Sequence, residues 1–115
     1  MGVAVACLIL WSAIGILRET LNKLLGEAPT QEMEHLLMRH ILRHEGVLSV
    51  HDLVVHSYGP GRTFATAHVE VDAKADILKS HDLIDNIERE VQEDHGINLV
   101  IHLDPVVTDD PEINR

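Results

Sequence analysis

The chain of 115 residues is long enough for one small domain and too short for two. Its formal net charge of −10 excludes the basic footprint of a nucleic-acid binder and suits the attraction of cations. The single cysteine, Cys7, excludes an intrachain disulfide framework or a CxxC zinc site, whereas nine histidines are an unusual load of groups that ligate transition metals and titrate near neutrality.

Residues 3–17 are almost wholly apolar, include Trp11, and end at Arg18 and Glu19. As helix this run rises about 22 Å, short of a hydrocarbon core of about 30 Å. It reads as the end of a transmembrane helix, with 1–25 comprising the span and its exit. The run has no basic leading region and no clear small-residue cleavage site after it, which argues against a signal peptide; a buried core helix is the soluble alternative. Arg18 and Lys23 follow the span and favour a cytoplasmic placement of the remainder by the positive-inside rule. Gly26 and Pro29 interrupt the helical spacing, so 26–30 reads as a linker.

Thr30 can cap a helix over 31–45 that Gly46 closes, with Met33, Leu36, Leu37, Ile41 and Leu42 at helical spacing. After Gly46 the period falls to two. Residues 50–57 read as a strand, 58–61 as a turn, and 62–72 as a second strand. In the latter, Ala65, Ala67, Val69 and Val71 share one face and Phe64, Thr66, His68 and Glu70 the other. A second helix is predicted over 75–94, buried through Ile77, Ile84, Ile87 and Val91, with Leu83 beside them and Gly96 as its stop. The last strand covers 97–103, with Ile97, Leu99, Ile101 and Leu103 on one face and Pro105 ending it. The polar stretch 108–115 is expected to fray. The order αββαβ implies an α+β open-sheet sandwich over 31–107, helices on one face of the sheet.

His102 and Asp104 stand two apart on a strand, so both project away from the apolar face. Imidazole with carboxylate suits zinc and related ions, though such a pair is more often a solvated strand face. His68 shares the polar face of its own strand, His51 opens the first strand, and His81 lies early in the second helix. Neighbouring imidazoles repel when protonated, and a shared cation converts that cost into coordination. His40 and His44, four apart, read as a solvated helix face rather than a ligand pair. His35 is expected exposed, His95 complements a helix C-terminus, and the parity of His56 gives no clear placement. Asp52 and Asp82 each follow a histidine and could orient that imidazole as acceptors, but read more simply as exposed. A phosphate-cradling glycine loop, a serine nucleophile elbow and an activated cysteine are all missing, which argues against an enzyme.

The series His51-Asp52-Leu53, Tyr58-Gly59-Pro60-Gly61, Ala67-His68-Val69-Glu70-Val71-Asp72, Ser80-His81-Asp82 and Ile101-His102-Leu103-Asp104-Pro105 resembles the cytoplasmic tail of cation diffusion facilitators, a family of divalent-metal efflux transporters. Leu24-Leu25-Gly26-Glu27-Ala28-Pro29 resembles the segment joining the last membrane helix to that tail. The resemblance implies a metallochaperone-like α+β domain that forms a homodimer below the rest of the transporter's transmembrane domain. It also implies a cell-membrane location with residues after about 26 in the cytoplasm. Its implied metal ligands are His51, His68, His81, His102 and Asp104. Zn2+ suits nitrogen-rich ligation best, and Mn2+, Fe2+, Co2+, Ni2+ and Cd2+ are further candidates. The family's transport site lies among membrane helices that this chain does not carry. Two other readings stand beside metal-linked regulation: a metal-independent dimerisation module, and a free-standing soluble metal-binding protein.

Overall fold

The computed structural model describes residues 1–107; the fraying expected over 108–115 lies outside them. Helix α1 (Gly2–Leu25) buries none of its residues, and Trp11 stands 81% exposed. It is long and apolar enough to cross a membrane. At 1.5 Å per residue its 24 residues rise about 36 Å, because the helix continues through the polar residues after Leu17. Lys23 Nζ bonds Glu19 Oε1 at 2.6 Å one turn away. Gly26, at φ 87°, ends the helix where a Cβ would come 3.3 Å from His56 Nδ1. The linker then joins the domain through paired backbone bonds, Glu27 N to Ser57 O at 2.8 Å and Ser57 N to Glu27 O at 3.1 Å.

Helix α2 (Gln31–Leu42) starts at Thr30, whose hydroxyl accepts from Met33 N. It stops three residues before the predicted end, in a turn in which His44 N bonds Ile41 O. Strands β1 (Ser49–Ser57), β2 (Thr63–Asp72) and β3 (Ile97–Val106) form one sheet in the order β1-β2-β3. The β1–β2 pair is antiparallel and the β2–β3 pair parallel, joined by the crossover helix α3 (Ile77–His95). Asp76 caps α3 by accepting from Leu78 N and Lys79 N, and left-handed Gly96 closes it.

Both helices lie on one face of this mixed α+β sheet. Leu37 and Ile41 of α2 and Ile84, Ile87 and Val91 of α3 form one core with Val50, Val55, Ala65, Ala67, Val69, Val71, Ile97, Leu99 and Ile101. Two alanines in the central strand let the helix side chains approach the sheet closely. The β3 edge is partly covered, since Ile101 N donates to Glu88 Oε1 of α3 at 2.7 Å.

Four local expectations are corrected. Ile77 is 80% exposed, because it is the first residue of α3; Ser80 takes the buried position in the first turns. Pro105 does not end β3, which runs to Val106: an edge strand tolerates a residue without an N–H. Glu45 lies outside α2. His40 and His44 are not a solvated face; His40 is 6% exposed, and its Nδ1 lies 3.1 Å from His95 Nε2. Burial holds the His40 imidazole below its usual range, and the nearby positive charge of Arg43 adds to this.

Candidate metal centre

Neither α2 nor α3 covers the second face of the sheet, and side chains cross it in rows. Pairing sets His51 opposite His68 and His68 opposite His102, so each strand gives one imidazole to the same row. Ring centroids are 5.2 Å apart for His51 and His68 and 4.8 Å apart for His68 and His102, close to the strand spacing itself. The next row pairs Glu70 with Asp104. On the other side come Val54, Thr66 and Val100, then His56, Phe64 and Asn98.

A bulge in β1 makes this arrangement. Between His51 and Val54 one extra residue is inserted relative to β2, and Asp52 takes φ 49°. Parity reverses across it: Val55 becomes buried, while Val54 and His56 face outward. This settles the position of His56.

Asp104 is the hub. Its Oδ2 accepts from His68 Nδ1 at 2.8 Å, and its Oδ1 lies 3.2 Å from His102 Nε2. His51 Nε2 is 3.5 Å from Asp104 Oδ2 and 3.7 Å from Glu70 Oε1. Glu70 is held from behind by the Ser49 hydroxyl at 2.6 Å. Asp104 is the least exposed of the four central groups, at 30% against 39–68% for the imidazoles. One ligand atom from each of His68, His102 and Asp104 lies within 4.8 Å of the other two, and the same holds for His51, Asp52 and His68. Two imidazoles and a carboxylate on three neighbouring strands are a donor set that fits a zinc-type ion.

Of the five ligand candidates from the sequence, the structure brings together His51, His68, His102 and Asp104. His81 stands apart on α3, exposed, with its Nδ1 3.5 Å from Asp85 Oδ2. Sequence reasoning missed Glu70 as a carboxylate within reach of His51, although the alternation of β2 already placed Glu70 on the face of His68; Asp52 is exposed as expected, its Oδ2 3.8 Å from His51 Nδ1. A cleft of 490 Å³ lined by Thr20, Lys23, Leu24, Tyr58, Arg62 and Phe64 shares no residue with the row.

Residues 29–106 match the family of the cation efflux protein cytoplasmic domain. Over 99 residues the chain is 28% identical to the cation-efflux pump FieF of Pectobacterium atrosepticum, which covers 85% of this chain and 33% of that protein. It is 30% identical over 98 residues to the uncharacterized transporter MJ0449 of Methanocaldococcus jannaschii, covering 76% of this chain and 34% of that one. The chain thus spans about a third of the length of these relatives. Among solved structures, the zinc form of the transporter CzrB superposes with a TM-score of 0.60 at 26% identity, covering 69% of this chain and 91% of that one.

Proposed function

This chain belongs to the cation efflux protein family through its cytoplasmic domain, and from that premise we propose that it is the dimerising, metal-responsive tail of a divalent-cation transporter. The observation that carries the proposal is the row His51–His68–His102 with Asp104 at its centre, on the sheet face opposite α2 and α3. Two such faces pack against each other in a homodimer. Val54 and Val100, 46% and 63% exposed beside the histidine row, supply apolar contact at that interface.

Acidic groups oppose this packing. Asp104, Glu70 and Asp52 lie at or beside the row, in a chain of net charge −10. Bringing two copies together sets like charges face to face. His68, His102 and Asp104 would hold the ion, with His51 completing the set. His81, exposed on α3 and apart from the row, would belong to a second ion. A bound divalent ion supplies the positive charge that removes the repulsion. Binding that favours the packed arrangement shifts its population by the difference in affinity between the two arrangements. The backbone bridge between Glu27 and Ser57 ties β1 to the linker after α1, so movement of the domain reaches the membrane helix. The first residues of that helix sit in the membrane and the domain in the cytoplasm.

Calorimetric titration of zinc into the full chain in detergent, with a thermal melt at each end point, tests this. Saturable binding with a raised melting temperature is expected, since a ligand of the folded state stabilises it. Replacing His102 and Asp104 together by Ala should remove the open-face equivalent of zinc and its share of the rise in melting temperature. A stable dimer that takes up no zinc would instead identify a metal-independent module, held by the Val54–Thr66–Val100 row.

A further inference from the structure

The helix layer carries a second group of ligating side chains, separate from the open face. His40 comes from α2 and His44 from the turn after it; Glu90 and His95 come from the last turns of α3. Arg43 Nη2 lies 3.1 Å from His40 Nε2. A guanidinium only donates, so His40 Nε2 must accept. The His40 proton therefore sits on Nδ1 and is donated to His95 Nε2, 3.1 Å away. This is the arrangement of a ligating imidazole: one nitrogen is anchored by a hydrogen bond and the other presents its lone pair.

The same Arg43 Nη2 donates to Glu90 Oε2 at 2.8 Å. A positive group thus sits between an imidazole lone pair and a carboxylate. His44 Nε2 points at the same place. It is buried without a hydrogen-bond partner, 3.5 Å from Glu90 Oε2.

We propose that His40 Nε2, His44 Nε2 and Glu90 Oε2 form a second site for a transition-metal ion, in which Arg43 is the resident competitor. Glu90 Oε2 lies 3.6 Å from His40 Nε2 and 3.5 Å from His44 Nε2. Ligands about 2.0–2.1 Å from a tetrahedral ion stand about 3.3–3.4 Å from each other, so little movement is needed. One ligand atom from each of the three residues lies within 4.8 Å of the other two. Arg43 is 54% exposed and can swing into solvent when displaced. Two imidazoles and one carboxylate select zinc, cobalt, nickel or copper over magnesium and calcium. The ion would bridge α2 to α3. This site shares no residue with the open-face row, so the two bind independently.

The test uses the full chain in detergent with His68→Ala, His102→Ala and Asp104→Asn, which silence the open face. Cobalt(II) is titrated while its visible ligand-field absorption is read. One equivalent with tetrahedral intensity is expected to remain. His44→Ala and the isosteric Glu90→Gln should each weaken that equivalent about tenfold or more, and Arg43→Gln should tighten it about tenfold by removing a charge-assisted hydrogen-bonding competitor. Circular dichroism identifies any variant that does not fold; Glu90→Gln and Arg43→Gln then decide, as opposite shifts. Absence of cobalt in the triple variant, or affinity indifferent to Glu90→Gln and Arg43→Gln, overturns the site. Either result leaves zinc binding at the open face of the otherwise unaltered chain as a separate question.

Discussion

Replacing Asp104 by Asn should separate a ligand from a structural side chain. The substitution keeps shape and removes the charge from the group that touches both His68, at 2.8 Å, and His102, at 3.2 Å. A double positive charge and a single negative charge about 2.1 Å apart attract by about 4 kcal/mol even at the dielectric of bulk water, about a thousandfold in affinity. The amide oxygen keeps a dipole and recovers part of this, so zinc affinity at the open face, read in a His44→Ala background, should fall about 100- to 1000-fold. Without zinc the same change removes only partly exposed pairs, which contribute about 1 kcal/mol or less. The assay is competition against a chromophoric chelator, with melts in EDTA and in zinc. Zinc affinity within threefold of that background would refute the reasoning. So would an equal loss of melting temperature in EDTA and in zinc.

Other consequences follow from the fold. Ile87→Ala empties a position with no solvent exposure on the buried face of α3 and should cost about 2–5 kcal/mol in denaturant unfolding. Asp76→Ala removes the acceptor for Leu78 N and Lys79 N and should cost about 0.5–2 kcal/mol, read in the same way. Acidification in EDTA should destabilise the helix layer. His40 is packed against Arg43 and His44 from its own side and Glu90, Asp94 and His95 from α3, and its folded pKa lies below the unfolded value of 6.5. The unfolded chain therefore binds the proton first, so stability is full above about pH 6.5 and falls as pH drops through the folded pKa. Glu90, held low first by its hydrogen bond from Arg43, gives a further loss below about pH 4.5. Melts of His40→Leu from pH 7.5 to 5 should lack the first of these losses.

Much of the fold was legible because periodicity is a local signal. The buried face Ala65–Ala67–Val69–Val71 and the pair Ile84–Ile87 both follow from spacing. Register is not local. Alternation put His68 and His102 on one face each, but only strand pairing sets them side by side. The bulge at Asp52 is likewise invisible in composition, and it is why counting parity from Val50 failed at His56. His40 and His44 were misread for a different reason. Leu37, His40, Ile41 and His44 form one continuous helical stripe, with intervals of three, one and three residues. The polar side chains concealed a buried position that the spacing itself marked. Ile77 failed in the opposite sense, since an apolar residue at a helix start need not reach the sheet.

The most direct test of metal-linked packing is the distance between protomers. A nitroxide on Gln92→Cys, in a Cys7→Ala chain reconstituted in lipid nanodiscs, reports it by pulsed electron paramagnetic resonance; Gln92 is exposed on α3. Zinc should replace a broad distribution with one narrow distance, and the broad distribution should return with His68→Ala, His102→Ala and Asp104→Asn. An identical distribution with and without zinc would contradict metal-linked packing of the two domains.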